Sequence, residues 1–115
     1  PYLYKNAFAI VFPVLMGPTF TPLWEAFKME IPVIFSDLEG TKDVYGDAVI
    51  YVDPFDVEQI ASSVKRLKTD NMLIKDLTNK GKLKIKEIDK KNEYNQIFEV
   101  IENFRKISKT WDMNN

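Results

Sequence analysis

The sequence predicts an α/β fold in which a parallel sheet of about three strands is covered by helices. Three short, continuous apolar runs, at residues 7–13, 32–35 and 48–52, alternate with segments of helical character. Such runs are typical of strands buried on both faces, which occur in parallel sheets flanked by helices. The order strand, helix, strand, helix, strand is that of an α/β domain with right-handed crossovers.

Two helices are predicted between the three strands. The first covers residues 22–30, with Thr21 as the N-cap and Pro22 at the first helical position, where a missing N–H leaves no hydrogen bond unmade. The second covers residues 39–45 and ends at Gly46, because glycine is favoured just beyond the end of a helix. Each helix therefore connects two consecutive strands.

The chain beyond the third strand is predicted to be helical. Asp56, with Gln59 three residues later, resembles a capping box, and apolar residues then follow at helical spacing as far as Leu67. The helical pattern resumes over residues 72–89, where Gly81 is expected to cause a break or bend.

The C-terminal end of the sequence carries one more amphipathic pattern. A last helix is predicted to begin near Asn92, with an apolar stripe that includes Ile97 and Phe104. Residues 110–115 are expected to form a loose tail. Residues 1–109 are thus expected to belong to one folded unit.

The composition limits the classes of function. Sixteen Lys and Arg are balanced by seventeen Asp and Glu, so no nucleic-acid partner is expected. The absence of Cys excludes disulfides and thiolate metal sites, and the absence of His removes the commonest general base and metal ligand. No apolar run reaches the ~20 residues needed to cross a bilayer, and the expected compartment is the cytoplasm.

Charge is distributed unevenly, because residues 75–91 are rich in lysine. One interpretation is a solvated helix face. The other is a patch that rests on anionic lipid headgroups, which would place the protein at the inner face of the membrane.

The segment between the first strand and the first helix is the candidate binding site. Ligands of open α/β sheets bind outside the carboxyl ends of the strands. A helix N-terminus offers free N–H groups and a partial positive charge to an anion. Gly17 permits close approach of the backbone to a ligand. These features predict an anion site but do not identify the anion.

Glu25 interrupts an apolar stretch one helical turn beyond Thr21. It could be an exposed carboxylate near the positive end of a helix. Alternatively, it could accept paired hydrogen bonds from sugar hydroxyls.

Seven ordered segments, at matching spacings, resemble the donor-binding half of glycosyltransferase family 4: residues 9–13, 17–19, 22–26, 31–34, 36–40, 46–48 and 52–54. That family has the GT-B fold, in which two Rossmann-like domains face each other across a cleft. The resemblance covers residues 2–109 and implies half of a Rossmann-like doubly wound parallel sheet, followed by C-terminal helices.

The resemblance implies specific roles for residues around the first helix. Glu25 matches the second Glu of the family's paired-glutamate motif, which holds the ribose hydroxyls of the nucleotide. Gly17 stands where the first Glu is usual, and the Gly-Pro-Thr version resembles a subgroup acting in bacterial polysaccharide synthesis. The residues implied to bind the donor are Gly17, Pro18, Thr19, Phe20, Thr21 and Glu25.

The function implied is retaining transfer of a sugar from a nucleoside diphosphate to an acceptor hydroxyl, without a metal or another cofactor. The acceptor would be a glycan or a lipid-linked sugar. The family's N-terminal half and its phosphate-gripping basic residues are not in this chain, so no catalytic residue is assigned and the isolated chain is expected to be inactive. Its first strand, at an exposed sheet edge, is expected to permit a homodimer.

Two other interpretations remain open at this stage. The chain could be a non-catalytic α/β module that binds a nucleotide or a protein partner. The resemblance could also be limited to the fold, in which case the chain is a general α/β binding domain.

Overall fold

The computed structural model describes residues 2–16 and 20–91, together with Val100 and Asn103. Helices and strands alternate along the described chain, and two longer helices follow the last strand. The elements are α1 (Tyr2–Asn6), β1 (Ile10–Phe12), α2 (Thr21–Lys28), β2 (Val33–Ser36), α3 (Thr41–Tyr45), β3 (Ile50–Val52), α4 (Val57–Thr69) and α5 (Asn71–Lys91). The helix predicted from Asn92 and the tail at residues 110–115 lie outside the described residues.

The three strands form one parallel sheet in the order β1-β2-β3. Ile10 pairs with Val33 in the first ladder, and Ile34 pairs with Ile50 in the second. The predicted α/β class, with about three parallel strands followed by C-terminal helices, is confirmed.

The central strand β2 carries the core on both of its faces. All four of its residues are buried, because helices cover the sheet on each side. Val33 and Phe35 face a cluster that includes Leu23 of α2. Ile34 faces the opposite cluster, which includes Leu67 of α4. This alternation is what the period-two geometry of a strand requires.

The prediction that residues 7–13 form a strand buried on both faces is wrong. Only Ile10–Phe12 are in β1, and the side chains of Ile10 and Phe12 are half-buried. Val11 is 39% exposed. The reason is that β1 lies at one edge of the described sheet, so only one of its sides pairs with another described strand.

The N-terminus of α2 differs by one residue from the prediction. Phe20, not Thr21, is the N-cap, and it makes no side-chain capping bond. The Leu23 N–H donates to the Phe20 carbonyl at 3.0 Å, so Thr21 already lies within the first turn. Pro22 lies near the helix N-terminus, as predicted, and its fixed φ suits that turn.

The cap of α4 is confirmed. The Gln59 N–H donates to the Asp56 carboxylate at 2.9 Å. The Gln59 side chain does not complete the reciprocal bond of a capping box, because its oxygen accepts from the Asp53 N–H instead. The cap therefore also fixes the chain just after β3.

The predicted break at Gly81 is wrong, because α5 runs without interruption from Asn71 to Lys91. Gly81 is buried against α2. A Cβ atom at this position would lie 2.8 Å from Cδ1 of Phe27. The glycine therefore permits close packing of α5 on α2 and does not end the helix.

Some of the lysines of α5 are matched by carboxylates. Three of them form ion pairs: Lys80 with Asp47 and Asp76, Lys82 with Glu30, and Lys84 with Glu87. These pairs are at the protein surface, where solvent screening leaves ion pairs with little effect on stability. Their distribution favours the interpretation of this segment as a solvated helix face.

Candidate functional site

The predicted donor-binding segment is described only in part. Gly17, Pro18 and Thr19 lie outside the described residues. Phe20, Thr21 and Glu25 are described, and all three belong to α2 or to its N-cap. The geometry of the candidate site therefore depends on how α2 is held.

Phe20 is anchored in the core. Its ring meets the Phe35 ring edge-on, with the centroids 4.9 Å apart. This contact fixes the residue at which α2 begins, so the free N–H groups of the first turn have a defined direction.

The first turn of α2 contains no acidic residue, and Thr21 at its start is exposed. The partial positive charge at this helix end is therefore not neutralised from within the turn. That arrangement suits an anionic group such as a diphosphate.

Glu25 projects from the exposed side of α2, whereas its neighbours anchor the helix. Leu23 and Ala26 are fully buried. The Trp24 ring contacts the Phe27 ring at 5.7 Å and the Tyr45 ring at 5.1 Å between centroids. Because α2 is firmly packed, the backbone of Glu25 has a fixed position.

The Glu25 carboxylate has one partner within the described chain. The Tyr4 hydroxyl of α1 donates to Glu25 Oε2 at 2.6 Å. This hydrogen bond, followed by partial burial and the carboxylate charge, raises the pKa of Tyr4 above its usual value. The hydroxyl thus remains a donor throughout the neutral pH range.

A cleft that the sequence-based prediction missed lies at the carboxyl ends of β2 and β3. Its volume is about 490 Å³. The lining residues are Leu15, Asp37, Leu38, Tyr51, Val52, Asp53, Pro54, Phe55 and Gln59. Asp37 and Asp53 directly follow the two strands, which was the signal available in the sequence.

The polar groups of this cleft are partly engaged. Asp37 pairs with Lys42 at 2.7 Å, and the Lys42 ammonium lies 5.3 Å from the centroid of the Tyr51 ring. Burial, with a smaller contribution from the Asp37 charge, raises the pKa of Tyr51 to about 12. The Tyr51 hydroxyl donates to the Thr41 carbonyl at 3.3 Å.

Two findings concern ions and membranes. Across residues 2–16 and 20–91, no three or more Asp or Glu side chains come together in a group that could hold a metal ion. In that same part of the chain, none of the helices combines the length and the apolarity needed to cross a membrane.

Comparisons with known proteins indicate the family to which this chain is similar. The family model described as "Glycosyl transferases group 1" matches residues 1–84. O-antigen chain mannosyltransferase B of Escherichia coli is 29% identical over 92 residues, which cover 80% of this chain and 24% of that protein. The chain thus spans about a quarter of the length of this curated relative. No solved structure gives a significant match.

Proposed function

Since this chain belongs to the glycosyl transferases group 1 family, we propose that it forms part of the donor-binding domain of a retaining glycosyltransferase. The enzyme moves a hexose from a nucleoside diphosphate to an acceptor hydroxyl. The bond between the anomeric carbon and the diphosphate oxygen breaks, a bond from that carbon to the acceptor oxygen forms, and the acceptor proton is released. The chain contributes to donor binding and not to the proton transfer.

The observation that carries this proposal is the position of Glu25. Its carboxylate is exposed one turn into α2, a helix that is anchored by the buried residues Leu23, Ala26 and Phe27. A carboxylate can accept two hydrogen bonds from a ribose diol, and the N-terminus of α2 can face the diphosphate of the same nucleotide. The same proposal assigns donor binding to Phe20 and Thr21, and also to Gly17, Pro18 and Thr19.

We place the enzyme in polysaccharide synthesis. The support is its relative, which is named as an O-antigen chain mannosyltransferase. The acceptor is then a glycan or a lipid-linked sugar, and the reaction takes place in the cytoplasm, including the inner face of the membrane. Donor binding involves no metal or additional cofactor in this proposal.

The chain's partners follow from the same proposal. An N-terminal GT-B half completes the cleft and excludes water from the reacting atoms, so transfer requires both halves. The open edge of β1, where Val11 is 39% exposed, is also available for pairing between two copies of the chain.

A second candidate function is a non-catalytic module that binds a nucleotide or a protein. It is favoured by Gly17, which stands where the family motif usually has a carboxylate. The two candidates differ in the complete protein, where only the first predicts turnover of a nucleotide sugar.

Glu25→Gln is expected to weaken binding of a nucleoside diphosphate to the complete protein about tenfold, or by about 1.4 kcal/mol. The amide has one acceptor oxygen in place of two and cannot hold both ribose hydroxyls as the carboxylate does. Isothermal titration with UDP and GDP, and with their 2′,3′-dideoxy analogues, measures the effect.

Glu58→Gln is the matched control, because Glu58 is an exposed glutamate of α4. It should leave the titrations unchanged. An equal loss of affinity for ribose and dideoxyribose nucleotides in Glu25→Gln would contradict the proposed role.

A further inference from the structure

The hydrogen bond between Tyr4 and Glu25 joins two helices that are far apart in the sequence. We propose that Tyr4 is a positioning residue for the donor nucleotide: its hydroxyl holds the Glu25 carboxylate in the orientation that receives the ribose. This inference rests on the proposed function of Glu25. Tyr4 itself need not touch the donor.

The bond is short and charge-assisted. The Tyr4 oxygen lies 2.6 Å from Glu25 Oε2, at the strong end of the range for a hydroxyl and a carboxylate. A carboxylate has about four acceptor sites, and this bond uses one of them. The remaining sites, including those of Oε1, have the capacity to accept both hydroxyls of a ribose.

Preorganisation gives the bond its effect on affinity. An exposed glutamate samples several rotamers. When a ligand selects one of them, the lost conformational entropy weakens binding. A partner that already fixes the carboxylate removes this part of the entropy loss from the binding step. Tyr4 is suited to the task because a tyrosine has only two side-chain torsions before its hydroxyl.

Tyr4 is itself held in place by the protein. Its ring packs against the cluster that contains Leu23 and Phe35. Its carbonyl accepts a hydrogen bond from the Ala7 N–H at 3.1 Å, at the end of α1. The ring packing does not need the hydroxyl, so a phenylalanine at this position keeps the packing and loses only the bond to Glu25.

Tyr4→Phe in the complete protein isolates the contribution of the hydroxyl. We expect binding of UDP or GDP, whichever the enzyme uses, to weaken by about three- to tenfold. Binding of the 2′,3′-dideoxy analogue is expected to change less than about twofold, because it lacks the hydroxyls that Glu25 receives. The KM for the nucleotide sugar should rise by the same factor as the dissociation constant, with kcat nearly unchanged.

A double-mutant cycle tests whether Tyr4 acts through Glu25. In a Glu25→Gln background, Tyr4→Phe is expected to have no further effect on the affinity for either nucleotide. Tyr2→Phe is the matched control, because Tyr2 is on the same helix and is 78% exposed. It should behave as the parent protein does in every titration.

The outcomes separate this inference from the proposed function. If Glu25→Gln discriminates between ribose and dideoxyribose but Tyr4→Phe does not, the positioning role is overturned and the function of Glu25 stands. If Glu25→Gln does not discriminate, the proposed function fails and the inference fails with it. Equal losses for both nucleotides in Tyr4→Phe would indicate a purely structural contact and would also overturn the inference.

Discussion

Phe35→Ala is expected to lower the free energy of unfolding by about 3–5 kcal/mol. Phe35 is fully buried in the central strand of the sheet. Its ring lies 4.9 Å from Phe20, 5.8 Å from Tyr45 and 6.2 Å from Phe12, between centroids. The substitution therefore leaves a cavity that three aromatic rings cannot easily fill. Because a domain is stable by only about 5–15 kcal/mol, a large share of its stability would be lost.

The measurement is urea denaturation of the protein, followed by tryptophan fluorescence. Phe55→Ala makes the same chemical change at a side chain that is 77% exposed. It is expected to change stability by less than about 0.5 kcal/mol. Similar losses in the two variants would show that the aromatic cluster is not the centre of the core. Phe35→Ala should also weaken nucleotide binding, because Phe20 depends on Phe35 for its position.

Gly81→Ala is expected to destabilise the protein by about 1–3 kcal/mol. Alanine normally stabilises a helix relative to glycine by about 1 kcal/mol. A loss of stability would therefore indicate the close contact between α5 and α2. The added Cβ would lie 2.8 Å from Cδ1 and 3.0 Å from Cγ of Phe27, and α5 would have to move away from α2. Urea denaturation measures the change.

The same substitution in a Phe27→Ala background is the control. In that background the two ring atoms are absent, and the remaining Cβ at position 27 is in van der Waals contact at 3.4 Å. Gly81→Ala is then expected to be neutral or to stabilise by up to about 1 kcal/mol. If Gly81→Ala stabilises the otherwise unchanged protein, the close packing described for these two helices is wrong.

The features predictable from the sequence are those set by neighbouring residues. The run from Val33 to Phe35 is apolar without interruption, which is sufficient to predict a strand buried on both faces. Asp56 and Gln59 are three residues apart, so their capping bond is contained in a single turn of helix. The order of strands and helices followed from such local patterns.

The features that were missed depend on contacts between distant segments. The sequence around Gly81 predicts a helix break. The packing role of Gly81 depends on its contact with Phe27, which is distant in the sequence. Tyr4 is 21 residues before Glu25, and no spacing rule relates the two. The exposure of Val11 in β1 reflects the edge position of that strand, whereas its composition resembles that of a central strand.

The same distinction applies to the candidate site. Glu25 could be proposed as a donor-binding residue because of its place in an ordered set of motifs in the sequence, and that role stays a prediction. The cleft beside Asp37 and Asp53 was not predicted, although each of these residues follows an apolar run. The position of a strand end in the sequence does not show whether that end lines a cleft. That space is defined by the packing of several segments, which include α4 and the turn at Phe55.

The strand order β1-β2-β3 bears on how the protein folds during synthesis. Because each strand pairs with the one made just before it, the sheet can grow in the direction in which the ribosome releases the chain. The packing of α5 on α2 cannot form until residues near Gly81 have emerged. A nascent chain that stops before that point lacks the contact of α5 with Phe27 of α2, and exposed apolar surface of this kind is recognised by chaperones and proteases. The synthesis of α5 is thus required before this face of α2 is covered.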